Sequence, residues 1–128
     1  SFTYRRVPNV SPETPLVGAW EMVDDAEQGV IIFTETHYAV VRVHKERDLP
    51  KGEQYTPEEA LTALYTCGAN AGPYTLSGNT LTMTRTAHLR PERTGDNAVL
   101  EVTVEEYTIK TRGVSGITTQ EYNWSKVS

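Results

Sequence analysis

A glycine and a tryptophan two residues apart, Gly18 and Trp20, sit in the first stretch of this chain that alternates like a strand, residues 17–23. Residues i and i+2 of an extended strand share a face. A tryptophan there is large enough to demand burial, and a glycine beside it leaves room for another segment to cross. Beyond residue 23 the chain is a series of short alternating runs with one helical pattern among them. A first strand built this way predicts a barrel with a Trp plug at one end.

The remaining elements read in order. Residues 1–15 contain Pro8, Pro12 and Pro15 and no periodicity, so they form an arm outside the domain of residues 16–128. Residues 30–34 are a dense apolar strand, and residues 37–45 the next. On that strand Ala39, Val41 and Val43 oppose Tyr38, Val40, Arg42 and His44. Periodicity puts the Ala/Val face inward, although a slip of one residue exchanges the two faces. Residues 46–55 are a charged loop with Pro50 and Gly52.

One helix comes next. Thr56 is its N-cap, Pro57 suits the first turn, and Glu59 completes a capping box. Ala60, Leu61, Leu64 and Tyr65 make its apolar stripe, and Gly68 ends it. A helix inserted between barrel strands is expected either to cover an open end or to pack on the outer wall. Strands then fall at residues 74–77, 81–89, 98–104, 107–112 and 117–127, with a tight turn at Gly78-Asn79. The fold class is therefore all-β: an eight-stranded up-and-down antiparallel barrel with one short helix after the third strand. Eight strands enclose an interior just wide enough for one small ligand.

Composition removes several function classes. With 17 acidic against 12 basic residues the net charge is -5, which argues against binding a phosphate backbone and hence against a nucleic-acid partner. No apolar run approaches ~20 residues, so no membrane span is expected. Cys67 is the one cysteine, so no intrachain disulfide forms and a reducing, cytoplasmic setting fits. No signal-peptide pattern is visible, and a start at Ser1 is compatible with processing. The expected oligomeric state is monomer or homodimer.

The run Leu16-Val17-Gly18-Ala19-Trp20-Glu21-Met22-Val23 with the strand pair of residues 30–43 resembles the opening of the lipocalin-like domain family, within the calycin superfamily. Residues 72–82, GPYTLSGNTLT, look like that family's middle, and residues 122–127, YNWSKV, like its last strand. The resemblance implies a central pocket for an apolar small molecule. It also implies a basic residue of the last strand packed over the first-strand tryptophan, here Lys126 over Trp20. Members often carry a histidine early in the strand that here spans residues 81–89. This chain has Met83 there, so any role of that histidine does not transfer. The family includes carriers and cofactor-free enzymes of secondary metabolism, so fold does not decide function.

Among candidate groups, Arg85 shares a face with Leu81, Met83, Ala87 and Leu89, the face expected to look inward. A cation there needs a carboxylate, a tyrosine oxygen or a ligand oxygen, and it could stabilise an enolate. Seven tyrosines against two phenylalanines suit a cavity for an apolar but partly oxygenated ligand. Tyr122 shares a face with Trp124 and Lys126 and is the tyrosine most suited to chemistry. The expected catalytic pair is Arg85 and Tyr122. The expected ligand-binding set is Trp20, Met22, Tyr38, Tyr65, Tyr74, Met83, Leu100, Tyr107 and Trp124.

His37, His44 and His88 lie on different strands without metal-ligand spacing and read as surface or rim histidines. Asp24-Asp25 and Glu105-Glu106 are sequence neighbours that point to opposite faces, which suits solvated turns rather than acid/base pairs. Cys67 has no local histidine to activate it. No nucleotide, phosphate or metal motif appears, so the expected chemistry is a cofactor-free isomerisation, cyclisation or dehydration of a hydrophobic biosynthetic intermediate. A carrier or scavenger without turnover is the competing class, and the location of Arg85 discriminates the two. An interaction module using the outer face is a third.

Overall fold

The structure is a computed structural model that describes residues 15–47, 51–114 and 121–127. Residues 1–14 of the expected arm and residues 117–120 of the expected last strand lie outside the described residues. Those described form nine strands and one α-helix: β1 (Gly18–Val23), β2 (Glu27–Phe33), β3 (His37–His44), α1 (Pro57–Tyr65), β4 (Cys67–Ser77), β5 (Thr80–Thr84), β6 (Ala87–His88), β7 (Asn97–Val104), β8 (Thr108–Gly113) and β9 (Glu121–Lys126). Every pairing among them is antiparallel. The order β3-β2-β1-β9-β8-β7-β5-β4 is closed by the pairing of β3 with β4, which makes an eight-stranded barrel. The two-residue β6 pairs only with Asn70 and Ala71 of β4. No helix among the described residues is long and apolar enough to cross a membrane.

The core is a single cluster inside the barrel. Trp20 is 1% exposed, and its Nε1–H donates to the Leu16 carbonyl at 2.9 Å. Gly18, two residues earlier, adopts φ +134°, a backbone conformation that only glycine takes readily. The glycine is thus required by the backbone itself. Lys126 pairs with Trp20 across the β1–β9 ladder and carries its ammonium over the indole ring.

Several expectations change: the strand expected at residues 74–77 begins already at Cys67, so Gly68 lies within β4 rather than ending the helix, which stops at Tyr65. The faces of β3 are the reverse of the periodicity reading: Tyr38 and Val40 are buried, while Val41 is 54% exposed. Tyr38 and Val40 stand opposite Phe33 and Ile31 of β2, and cross-strand partners share a face. Phe33 and Tyr38 are bulky rings that fill a barrel interior better than Ala39 and Val41, and Phe33 also packs edge-on against Tyr74 at 5.0 Å.

The expected strand 81–89 breaks after Thr84. There β4 and β5 approach so closely that a Cβ on Gly72 would lie 1.8 Å from the Thr84 carbonyl oxygen. The chain turns as Thr86 N–H donates to that oxygen at 3.0 Å, and Leu89 N–H reaches the Ala69 carbonyl. Leu81 and Met83 therefore face inward, whereas Ala87 is exposed and Leu89 is 41% exposed.

The helix carries the expected capping box: Thr56 Oγ1 accepts from Glu59 N–H at 3.1 Å, and Glu59 Oε1 accepts from Thr56 N–H at 2.9 Å. Its apolar stripe nevertheless stays largely exposed, with Leu61 at 52% and Tyr65 at 59%. No helix residue lines the interior cavity, and none is fully buried. The helix is tied beside the barrel through the Ala63 carbonyl, which accepts from Arg47 Nη2.

Candidate functional site

A cavity of about 190 Å³ occupies the lumen and draws its lining from every barrel strand except β1. Its apolar wall comes from Ile31, Phe33, Val40, Leu81, Met83, Leu100 and Trp124. Alternation alone accounts for this wall, because inward positions recur at every second residue. The volume lies below the ~300–1,000 Å³ of ordinary ligand pockets, so the lumen has room only for a small molecule.

Polar groups gather at one end. Arg42, Asn70 and Arg85 line both the cavity and an outer groove of about 260 Å³, and these three form the mouth between them. The groove continues past His88, Arg90 and Arg93. Arg85 comes directly after the last residue of β5, and its backbone is pinned at both polar groups: its N–H donates to the Asp96 carbonyl, and its C=O accepts from Gly95 N–H. Its Nε is buried and finds no hydrogen-bond partner among the described residues. The ion pairs among those residues are Arg42 with Glu27, at 3.7 Å, and Arg112 with Glu101. Arg85 is thus neither solvent-facing at Nε nor locked to a described carboxylate.

Two neighbouring groups already accept a hydrogen bond, Asn70 through Oδ1 and His88 through Nδ1. Tyr38 O–H donates to Asn70 Oδ1 at 2.5 Å, and the Asn70 amide group lines the cavity. Arg42 lies over the Tyr122 ring, 5.0 Å from its centroid, and both Arg42 and Glu27 interact with the Tyr122 hydroxyl. Burial pushes the Tyr122 hydroxyl above the usual phenol range, with Arg42 opposing. Burial likewise raises Tyr38, against the pull of Arg85. Both are phenols at neutral pH, hydrogen-bond donors rather than bases. His88 Nδ1 accepts from Arg90 N–H at 2.9 Å. Burial first, then the charges of Arg85, Arg93 and Arg90, hold its pKa below the ordinary value. The neutral ring therefore carries its proton on Nε2.

The sequence-derived residues scatter around this arrangement. Arg85, Tyr122, Met83, Leu100 and Trp124 line the cavity. Tyr38 stands behind its mouth through Asn70. Trp20 and Met22 are buried in the core without lining the cavity, and Tyr74 is fixed by donating to the Thr34 carbonyl at 2.6 Å. Tyr65 and Tyr107 do not line it: Tyr65 lies under the Arg90 guanidinium on the helix, and Tyr107 is 65% exposed ahead of β8. His37 bonds Thr36 Oγ1 at a turn, and His44 is exposed.

Arg42, Asn70 and Thr111 are cavity residues that the sequence did not single out. Arg42 alternates with Tyr38 and Val40, so the reversed face of β3 brings all three inward. Thr111 is buried and accepts from Trp124 Nε1–H at 3.2 Å; alternation on β8 was its available signal. Asn70 sits in the small-residue run at the start of β4, where no strand pattern marks it. Comparisons with family models, with curated proteins and with solved structures return no match for this chain.

Proposed function

We propose that this chain is a lipocalin-like barrel that binds a small, apolar, partly oxygenated molecule in its lumen and promotes a cofactor-free isomerisation, cyclisation or dehydration of it. The observation that carries the reading is the position of Arg85, a guanidinium at the end of an apolar cavity with a buried Nε that nothing in the described protein satisfies. An unpaired buried donor is unfavourable until a ligand oxygen meets it. In the bound state the apolar wall would fix the ligand's conformation. Arg85 would then polarise a carbonyl or stabilise developing negative charge on oxygen. Tyr122, held protonated, would donate to the same or a neighbouring oxygen, and Glu27, which interacts with Tyr122, would exchange a proton with it.

The alternative reading is a carrier or scavenger. It is favoured by a cavity lining that includes no carboxylate and no histidine among the described residues: Tyr122 is a phenol, as is Tyr38 behind the mouth, and His88 in the outer groove has its Nδ1 occupied. Intrinsic fluorescence tests binding, since Trp124 lines the cavity. Titration with polycyclic, terpenoid and polyketide compounds should give saturable changes, and a flat response throughout would refute the pocket. Product analysis of the compounds that bind then separates the classes. Turnover lost in both Arg85→Met and Tyr122→Phe supports the enzyme, and binding without any product supports the carrier.

A further inference from the structure

We infer that the ligand of this barrel is a carboxylate, an organic acid whose apolar body lies in the lumen and whose anionic head sits at the mouth between Arg85 and Asn70, with Arg42 alongside. The inference rests on the binding reading above and gives the ligand its charge.

Three observations meet here. The first is Arg85 itself, which lines both the cavity and the groove: its guanidinium is a planar fork whose natural counterpart is a two-oxygen acceptor, and its buried Nε has no partner among the described residues. The second is that the side chains lining the described mouth are rich in donors and include no carboxylate. Asn70 Oδ1 already accepts from Tyr38 and His88 Nδ1 from the Arg90 backbone, and the donors are guanidinium N–H groups, the Asn70 amide NH₂ and the His88 Nε2–H. A carboxylate is acceptor-only and carries the opposite charge, so it matches such a site better than an alcohol, which is neutral and brings a donor of its own. The third is charge. The groove that meets the cavity is lined by Arg42, Arg85, Arg90 and Arg93 and by no described carboxylate, in a chain of net charge -5. Glu27 partly neutralises Arg42 at 3.7 Å, which leaves Arg85 as the principal anchor. A local positive field at the entrance to an otherwise acidic protein also speeds capture of an anion.

Matched probes test this. Isothermal titration of the full chain would compare cinnamate with cinnamyl alcohol and methyl cinnamate, and octanoate with octanol. The acid should bind roughly tenfold or more tighter than its alcohol, and the ratio should shrink with added salt. In Arg85→Met the acid should lose far more affinity than the alcohol, so that the ratio collapses. Arg85→Lys should restore part of it, through charge without the fork. Equal binding of acid and alcohol by the native protein would overturn the inference while leaving the pocket standing. Tighter binding of phenyl phosphate than of any acid would also overturn it, in favour of a phosphate ligand. Failure of every probe, neutral and charged, would count against the pocket itself. Should circular dichroism show Arg85→Met unfolded, the acid-to-alcohol ratio and its salt dependence in the native protein decide the matter.

Discussion

The Lys126 ammonium nitrogen lies 5.7 Å from the centroid of the Trp20 indole, and the two residues stand directly opposite each other across the β1–β9 ladder. The first and last strands of the barrel are therefore joined by a cation over a ring as well as by backbone hydrogen bonds. Their contributions are unequal. Trp20 is fully buried and Lys126 is exposed. Replacing Trp20 with Ala should destabilise the barrel by about 3–5 kcal/mol, from lost burial and the cavity left behind. Lys126→Met should change stability by less than about 1 kcal/mol, the range of an exposed cation–π contact. Urea denaturation of the two variants checks the ranking. A larger loss at Lys126 than at Trp20 would mean that the closure between the first and last strands depends on charge.

Gly72 should tolerate no side chain. Its would-be Cβ meets the Thr84 carbonyl oxygen at 1.8 Å and the Thr86 amide nitrogen at 3.0 Å, both backbone atoms with no rotamer to yield. Gly72→Ala must push β5 away from β4 or break the turn after Thr84. The expected loss is about 3 kcal/mol or more, at the upper end of overpacking penalties. Thermal unfolding followed by far-ultraviolet circular dichroism reads it. An alanine variant as stable as the native chain would show that the β4–β5 crossing is looser than described.

Much of the barrel was legible in the sequence because it depends on local chemistry. Trp20, the Gly78-Asn79 turn, the Thr56–Glu59 capping box and the alternation of residues 98–104 each report their own surroundings. Three features were not, and each is decided by a partner distant in sequence. The inward face of β3 is set by Phe33 and Ile31 across the ladder, since both faces of residues 37–44 carry apolar groups. The first half of β4 is the small-residue run CGANAG, which shows no alternation and becomes a strand because β3 offers it a ladder from His37 to Val43. The break after Thr84 results from the Gly72 approach. The same two long-range facts set the candidate site. Reversal of β3 brings Arg42 inward, and the strand path of residues 67–73 delivers Asn70, so Arg85 was legible and its companions at the mouth were not.

Stability should fall below neutral pH through His88. Burial is the largest cause of its lowered pKa, with repulsion from Arg85, Arg93 and Arg90 next and Glu92 opposing. The unfolded chain, with an ordinary pKa near 6.5, therefore takes the proton first. The neutral ring's contribution is complete above that value, is lost as pH falls toward the folded-state pKa, and declines no further below it. Solvent screening keeps the effect small. Urea midpoints between pH 8 and pH 5 should slope downward more in the native chain than in His88→Gln, and equal slopes would remove His88 as the cause.

Arg85 should show the opposite relation of function to stability. Its Nε is buried without a partner among the described residues, and an unsatisfied buried donor carries a desolvation penalty of about 1–3 kcal/mol. Methionine fills similar space along the same stem with no polar atom to satisfy. In the ligand-free protein Arg85→Met should leave stability unchanged or raise it by about 1 kcal/mol, while ligand binding weakens; binding residues are often retained at the expense of the folded state. On the proposed binding mode, an acid ligand should then stabilise the native chain against urea far more than it stabilises the variant, which lacks the guanidinium. If Arg85→Met instead unfolds at markedly lower urea without ligand, the guanidinium belongs to the scaffold, and the anchor must be sought at Arg42 or Asn70.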